Sequence, residues 1–217
     1  MHPLVGAYVN RRNVIFAVVS VVGVLLDQLT KFWIVRNLPE GRGEMEIIPG
    51  LLSIVHRQNP GAAFGMFRDF EYRHYLFVVL TIVAAGVILD LFRRLPPTDR
   101  FMSATLGLIL SGAVGNAIDR IHKRTVTDFI KVYTDIPSLK SWLLTNFGTN
   151  EWPSFNIADS TLVVGVVMFV IHQLFIDGRK KPEVKPDATA TAAASVTPDA
   201  NATPDAKPDP KPETAAG

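Results

Sequence analysis

The chain has 217 residues, 48% of them hydrophobic and 19% charged, with a formal net charge of +2 and no cysteine. The missing cysteine excludes a disulfide framework, a thiol nucleophile, a zinc–thiolate site and a lipid-modified cysteine on this chain. The near-neutral balance gives no electrostatic basis for binding nucleic acid.

These averages conceal an uneven chain. Apolar runs cover residues 14–35, 75–92, 101–118 and 159–176, each close to the roughly 17–25 residues that a helix needs to cross a bilayer. They predict a four-span membrane domain over residues 1–177. The first run opens VIFAVVSVVGVLL behind Arg11 and Arg12, as a secretory signal would. Asp27-Gln28-Leu29-Thr30-Lys31 then follows in place of a small-residue cleavage site, so the run reads as a retained span.

In the first long loop, 36–74, Met45–Ile48 and Leu51–His56 flank Pro49-Gly50 and predict a small hairpin. Small residues follow in Asn59-Pro60-Gly61-Ala62-Ala63-Phe64-Gly65, with Phe64, Met66 and Phe67 placed to reach the lipid interface. This stretch reads either as a lid or cradle or as an inert loop. In the second loop, 119–158, Leu139, Trp142, Leu143, Leu144 and Phe147 fall near helical spacing. They predict a short interfacial helix whose default role is anchoring. From Gly178 the chain holds no Ile, Leu, Met, Phe, Trp or Tyr and repeats Pro-Asp, so 178–217 is expected to be a disordered tail.

Dense basic clusters at Arg11–Arg12, Arg93–Arg94–Arg100 and Arg179–Lys185 lie on one side of the spans. Basic residues on the other side are spread through the two long loops. Both termini are therefore expected to be cytoplasmic, with 36–74 and 119–158 outside.

Polar residues gather at the outer span ends. Asp27 and Lys31 stand one helical turn apart, acid before base. Gly112, Asn116 and Asp119 recur at i, i+4, i+7 with Arg120 alongside. Asn156 and Asp159 open the fourth span. Each admits a plain reading: an interfacial ion pair for Asp27–Lys31, a snorkelling helix end for Asp119-Arg120, an N-cap for Asn156 or Asp159. The histidines show no metal-ligand spacing, and His172 reads as a packing residue. The convergence is more informative than any one residue. Two loop aspartates, Asp128 and Asp159, flank the same boundary in apolar surroundings. Brought together in a partly dry site they would share a proton, one activating water while the other polarises a carbonyl.

These motifs resemble the bacterial lipoprotein signal peptidases, signal peptidase II. The matching blocks are Asp27–Lys31, Asn59–Gly65, Gly112–Arg120, Val126–Ile130 and Phe155–Ser160, in order and each at the corresponding span end. The resemblance implies a four-helix membrane bundle with a small extracytoplasmic β-cradle and short interfacial helices, in the bacterial inner membrane. It implies an intramembrane aspartyl endopeptidase that cuts before a diacylglyceryl-modified cysteine of a prolipoprotein. Asp128 and Asp159 fall on the dyad positions, and Asp27, Lys31, Asn59, Gly112, Asn116, Arg120, Asn156 and Ala158 on positions that support dyad and substrate. No metal or organic cofactor is implied. Prolipoproteins and membrane lipids are the expected partners, a monomer the expected state, and globomycin the expected inhibitor. Three features depart from the family: Ser111 in place of a second glycine, a longer segment between Asp128 and Asp159, and the tail. The competing readings are a small transporter, disfavoured because the polar groups gather at one depth, and a non-catalytic scaffold.

Overall fold

The structure, a computed structural model, describes residues 10–61 and 71–175. The tail expected at 178–217 and residues 62–65 of the small-residue motif lie outside them. Chain order is α1 (Arg11–Asn37), β1 (Glu44–Ile48), β2 (Leu52–Asn59), α2 (Arg73–Arg94), α3 (Arg100–Lys123), β3 (Val126–Val132), α4 (Pro137–Phe147) and α5 (Ile157–Phe175). Helices α1, α2, α3 and α5 are each long and apolar enough to cross a membrane. α1, α2 and α3 overrun their predicted apolar runs at both ends, and α5 overruns the fourth at its start, because polar residues at the membrane surface still continue a helix. The extra length matters most in α3, where the added turn past Ile118 carries Asp119 and Arg120.

α3 is the hub of the bundle, packed against α1, α2 and α5, and more than half of its apolar window is buried. Ser103, Gly107, Ser111 and Gly115 recur every four residues along it, the spacing that lets membrane helices approach closely. A Cβ on Gly107 would stand 3.1 Å from the carbonyl oxygen of Phe16 on α1, and one on Gly165 of α5 would stand 3.0 Å from the Ile109 nitrogen. The other faces point outward. Val18, Val21, Leu25, Val79, Ile82, Val83, Val163 and Val167 are all about half exposed or more. An apolar surface this continuous belongs in lipid.

At one end of the bundle Arg12 of α1 donates to the carbonyl of Leu95 and lies 4.7 Å over the Phe92 ring. His172 near the end of α5 stacks on Phe101 at the start of α3, 5.6 Å away. The predicted hairpin forms at the opposite end and gains a third strand. The sheet runs β1-β2-β3, antiparallel throughout, with Asn59 opposite Val126 and Gln58 opposite Thr127. Ile34 of α1 and its C-cap residue Leu38 pack with Phe129 of β3 and seat the sheet on the bundle.

The predicted second-loop helix is α4. None of its residues is buried, and Leu139, Trp142, Leu144 and Phe147 stand exposed. Its base is pinned by the Tyr133–Glu151 bridge and by reciprocal bonds between Thr134 and Asn150. Arg57, Glu151, Lys131 and Glu44 form an ion network across the sheet edge beside it.

Candidate active site

Asp128 is a strand residue and not, as expected, a loop residue. α3 is capped by Arg124 in the left-handed conformation (φ 61°), and β3 begins two residues later. Its partner Asp159 lies in the first turn of α5. Asn156 caps that helix. Its Oδ1 accepts the Asp159 backbone N–H at 3.0 Å, while its own N–H donates to Asp159 Oδ2 at 3.1 Å. This is a reciprocal capping box with aspartate in the third position. The N-cap reading of Asn156 therefore holds, and the Nδ2 of the same side chain donates to Asp128 Oδ1 at 2.8 Å. One residue touches both aspartates.

The other carboxylate oxygens are also engaged. Asn59 stands diagonal to Asp128 across the β2–β3 register, and its Nδ2 donates to Asp128 Oδ2 at 3.0 Å. Its Oδ1 accepts from Gly61 N–H at 2.9 Å, which turns the amide nitrogen toward the aspartate. Gly61 has φ +88°, and a Cβ there would meet the Phe77 ring at 2.7 Å, so the turn requires glycine. Asn116 Nδ2 donates to Asp159 Oδ1 at 2.7 Å, and Asn116 Oδ1 accepts from Lys31 Nζ at 3.0 Å and Asn156 Nδ2 at 3.1 Å.

Beneath these amides lies a layer of buried charge. Lys31 pairs with Asp27 at 2.8 Å and with Asp119 at 3.3 Å, all three essentially inaccessible. Asp27 Oδ1 accepts the backbone N–H of Ala158 at 2.9 Å, and Asp119 Oδ2 accepts that of Thr127 at 3.0 Å. Arg120 lies over the Phe77 ring, 4.7 Å from its centroid, within electrostatic reach of Asp159, Asp128 and Asp119. Gly112 allows the approach of α5, since a Cβ there would collide with the Ala158 carbonyl oxygen.

Burial pushes the Asp128 carboxyl from its ordinary 3.8 up to about 7. The adjacent Asp159 charge pushes the same way, while the Asn59 and Asn156 bonds and Lys31 oppose it. Asp159 keeps partial contact with solvent. Among the described residues, no group of three or more His, Asp or Glu side chains is arranged to hold a metal ion.

All ten residues singled out from the sequence thus meet at the sheet-bearing end of the bundle. Asp119 was legible as a member of the polar face but not as a site residue. Its bond to the Thr127 backbone depends on how β3 returns beneath α3, and no sequence spacing reports that. Gln28, which donates to Asp27 Oδ2 at 3.0 Å and to the Gly115 carbonyl at 3.1 Å, gave no signal beyond its place in the first block.

Fold and site together define a polytopic membrane protein that presents a carboxylate pair at one end of its helix bundle. The chain belongs to the signal peptidase (SPase) II family, whose model matches residues 19–175. It is 37% identical over 169 residues to the lipoprotein signal peptidase of Geobacter metallireducens, covering 78% of this chain and 96% of that one. It is 38% identical over 168 residues to that of Geobacter sulfurreducens, covering 77% and 96%. Its fold is similar to a bacterial membrane enzyme solved by the in meso method at 1.9 Å resolution, with a TM-score of 0.61 and 31% identity over 74% of this chain and 93% of that one. A second such structure, at 2.3 Å resolution, gives a TM-score of 0.62 and 32% identity over 78% and 94%.

Proposed function

We propose that the chain is a lipoprotein signal peptidase working as an intramembrane aspartyl endopeptidase. It removes the signal peptide of a diacylglyceryl-modified prolipoprotein just before the lipidated cysteine. The observation that carries the reading is Asn156, which binds Asp128 through its side chain and Asp159 through its backbone, and so links the two carboxyl groups at the bundle end.

In this reading Asp128 holds the shared proton, since its carboxyl titrates at about 7. Charge balance supports one proton on the pair. Lys31, Lys123 and Arg120 then face Asp27, Asp119 and a single dyad carboxylate. Asp159 takes a proton from water as the water oxygen bonds to the scissile carbonyl carbon, and Asp128 gives its proton to the carbonyl oxygen. On collapse the C–N bond breaks, the leaving nitrogen takes the proton held by Asp159, and the new carboxyl returns one to Asp128. The apolar flanks of the helices hold the signal helix and acyl chains. The substrate's lipid keeps the scissile bond near the membrane surface, where the dyad lies.

The arginine-rich ends of α1, α2 and α3 mark the cytoplasmic side, which puts the dyad on the outer side of a bacterial inner membrane. The enzyme acts as a monomer, and the tail takes no part in the chemistry.

The test uses purified full-length protein in nanodiscs and a diacylglyceryl-modified precursor. Asp128→Asn and Asp159→Asn are each expected to lower cleavage by about 10²–10⁴-fold with the fold intact, and globomycin to block the wild type. Near wild-type turnover by either variant would refute the dyad.

A further inference from the structure

The charged layer under the dyad has a symmetry that the chemistry above does not use. The Lys31 ammonium carries three N–H donors and meets three acceptors: Asp27 Oδ2 at 2.8 Å, Asn116 Oδ1 at 3.0 Å and Asp119 Oδ2 at 3.3 Å. Each of its two carboxylates also accepts one backbone N–H from another element. Asp27 accepts from Ala158, which immediately precedes Asp159. Asp119 accepts from Thr127, which immediately precedes Asp128. Asp27, Lys31, Asp119 and Thr127 are each no more than 2% exposed.

We infer that Asp119, Lys31 and Asp27 form an ionic clasp that sets the separation and orientation of the two dyad carboxyls, with Asp119 the positioning residue for Asp128 and Asp27 for Asp159. This rests on the dyad reading. The two aspartates sit on separate elements, one on β3 and one on α5, and residues 129–158 between them include the exposed excursion through α4. The Ile130–Phe155 bridge closes that excursion and ties β3 to the chain entering α5. The buried ammonium held between two carboxylates ties them a second time, through Thr127 and Ala158, because moving either carboxylate would leave charge unpaired in a dry site. The grip is on the main chain one residue before each aspartate, so the carboxyl itself stays free to handle a proton. Asn116 adds a side-chain link from the same ammonium to Asp159.

The geometry separates grip from charge. Asp119 Oδ2 serves both Thr127 N–H and Lys31, while Oδ1 faces the half-exposed Lys123 at 3.7 Å. An asparagine with its oxygen at the Oδ2 place keeps both buried contacts, and an alanine keeps neither. Full-length Asp119→Ala and Asp119→Asn are compared in nanodiscs by steady-state cleavage of the diacylglyceryl precursor across pH, with thermal unfolding recorded for each. Asp119→Ala is expected to lose about 10²-fold in kcat, the cost of misplacing a group by about 1 Å, with KM within about threefold. Its pH profile should shift, because Asp128 moves relative to Asn59 and Asn156. Asp119→Asn is expected to recover at least about tenfold of that loss. Unchanged kcat and pH profile in Asp119→Ala would overturn the clasp. So would a folded Asp119→Asn no better than the alanine variant, or, where the alanine variant does not fold, one as inactive as Asp128→Asn. Asp128→Asn and Asp159→Asn run alongside, and cleavage by them would sink the dyad reading itself, whatever Asp119 does.

Discussion

Replacing Asp128 by asparagine is expected to change stability in a way that depends on pH. In the wild type this carboxyl binds its proton at about 7 in the folded chain, against an ordinary 3.8 once unfolded. Between those values the folded chain holds the proton more tightly. The stability it contributes is therefore full below 3.8 and is lost as pH rises through about 7. A shift of roughly three pH units corresponds to up to about 4 kcal/mol. Asparagine does not titrate, so the variant escapes that loss. It carries instead a fixed penalty of about 1–3 kcal/mol, because its amide turns a donor toward the Asn59 or Asn156 nitrogen. Equilibrium unfolding in mixed detergent micelles, run on both proteins at each pH, reads the titration of the carboxyl pair, since groups remote from it cancel in the difference. Variant-minus-wild-type stability should rise by up to about 4 kcal/mol from pH ~3.5 to pH ~8 and then level off. A difference that stays flat, or that falls with pH, would refute the burial of Asp128 as its dominant perturbation.

Three further predictions test packing and membrane contact. Gly112→Ala drives a methyl into the Ala158 carbonyl and to 2.9 Å from Leu162 Cβ, so unfolding assays should show a loss of about 1–3 kcal/mol, with cleavage reduced as Asp159 is displaced. Gly86→Ala on α2 meets nothing within 4 Å and should be neutral or stabilising by up to about 1 kcal/mol. For α4, a chain carrying Trp33→Phe and Trp152→Phe leaves Trp142 as the sole tryptophan. Brominated lipids should quench its fluorescence if the exposed apolar face lies in the membrane interface, and unquenched emission would remove the anchoring role.

Much of the architecture was legible because the bilayer imposes long, nearly uniform apolar runs. Those at 14–35, 75–92 and 101–118 lie wholly within α1, α2 and α3, and the fourth reaches the last described residue of α5. The hairpin was legible from its Pro-Gly turn, and α4 from the spacing of Leu139, Trp142, Leu143 and Phe147. β3 was not recognised. Its run is short, with its first four residues buried in succession, so it lacks the alternation that marks a half-exposed strand, and its status depends on pairing with β2, a partner far away in sequence.

The sequence by itself determined which residues were available for the site, because ionisable and amide groups at span ends are costly and stand out against an apolar background. It determined the one-turn spacing of Asp27 and Lys31 and the shared face of Gly112, Asn116 and Asp119, since helical periodicity is local. The tertiary structure alone decided how these groups are wired. That Asp27 grips Ala158 and that Asn156 bridges to Asp128 are contacts between elements distant in the chain, and Asp119 meets Thr127 only because the turn after α3 brings β3 back to it. Their geometry follows from the close approach of α5 to α3 at Gly112 and from the antiparallel return of β3 along β2. Local periodicity carries no record of either.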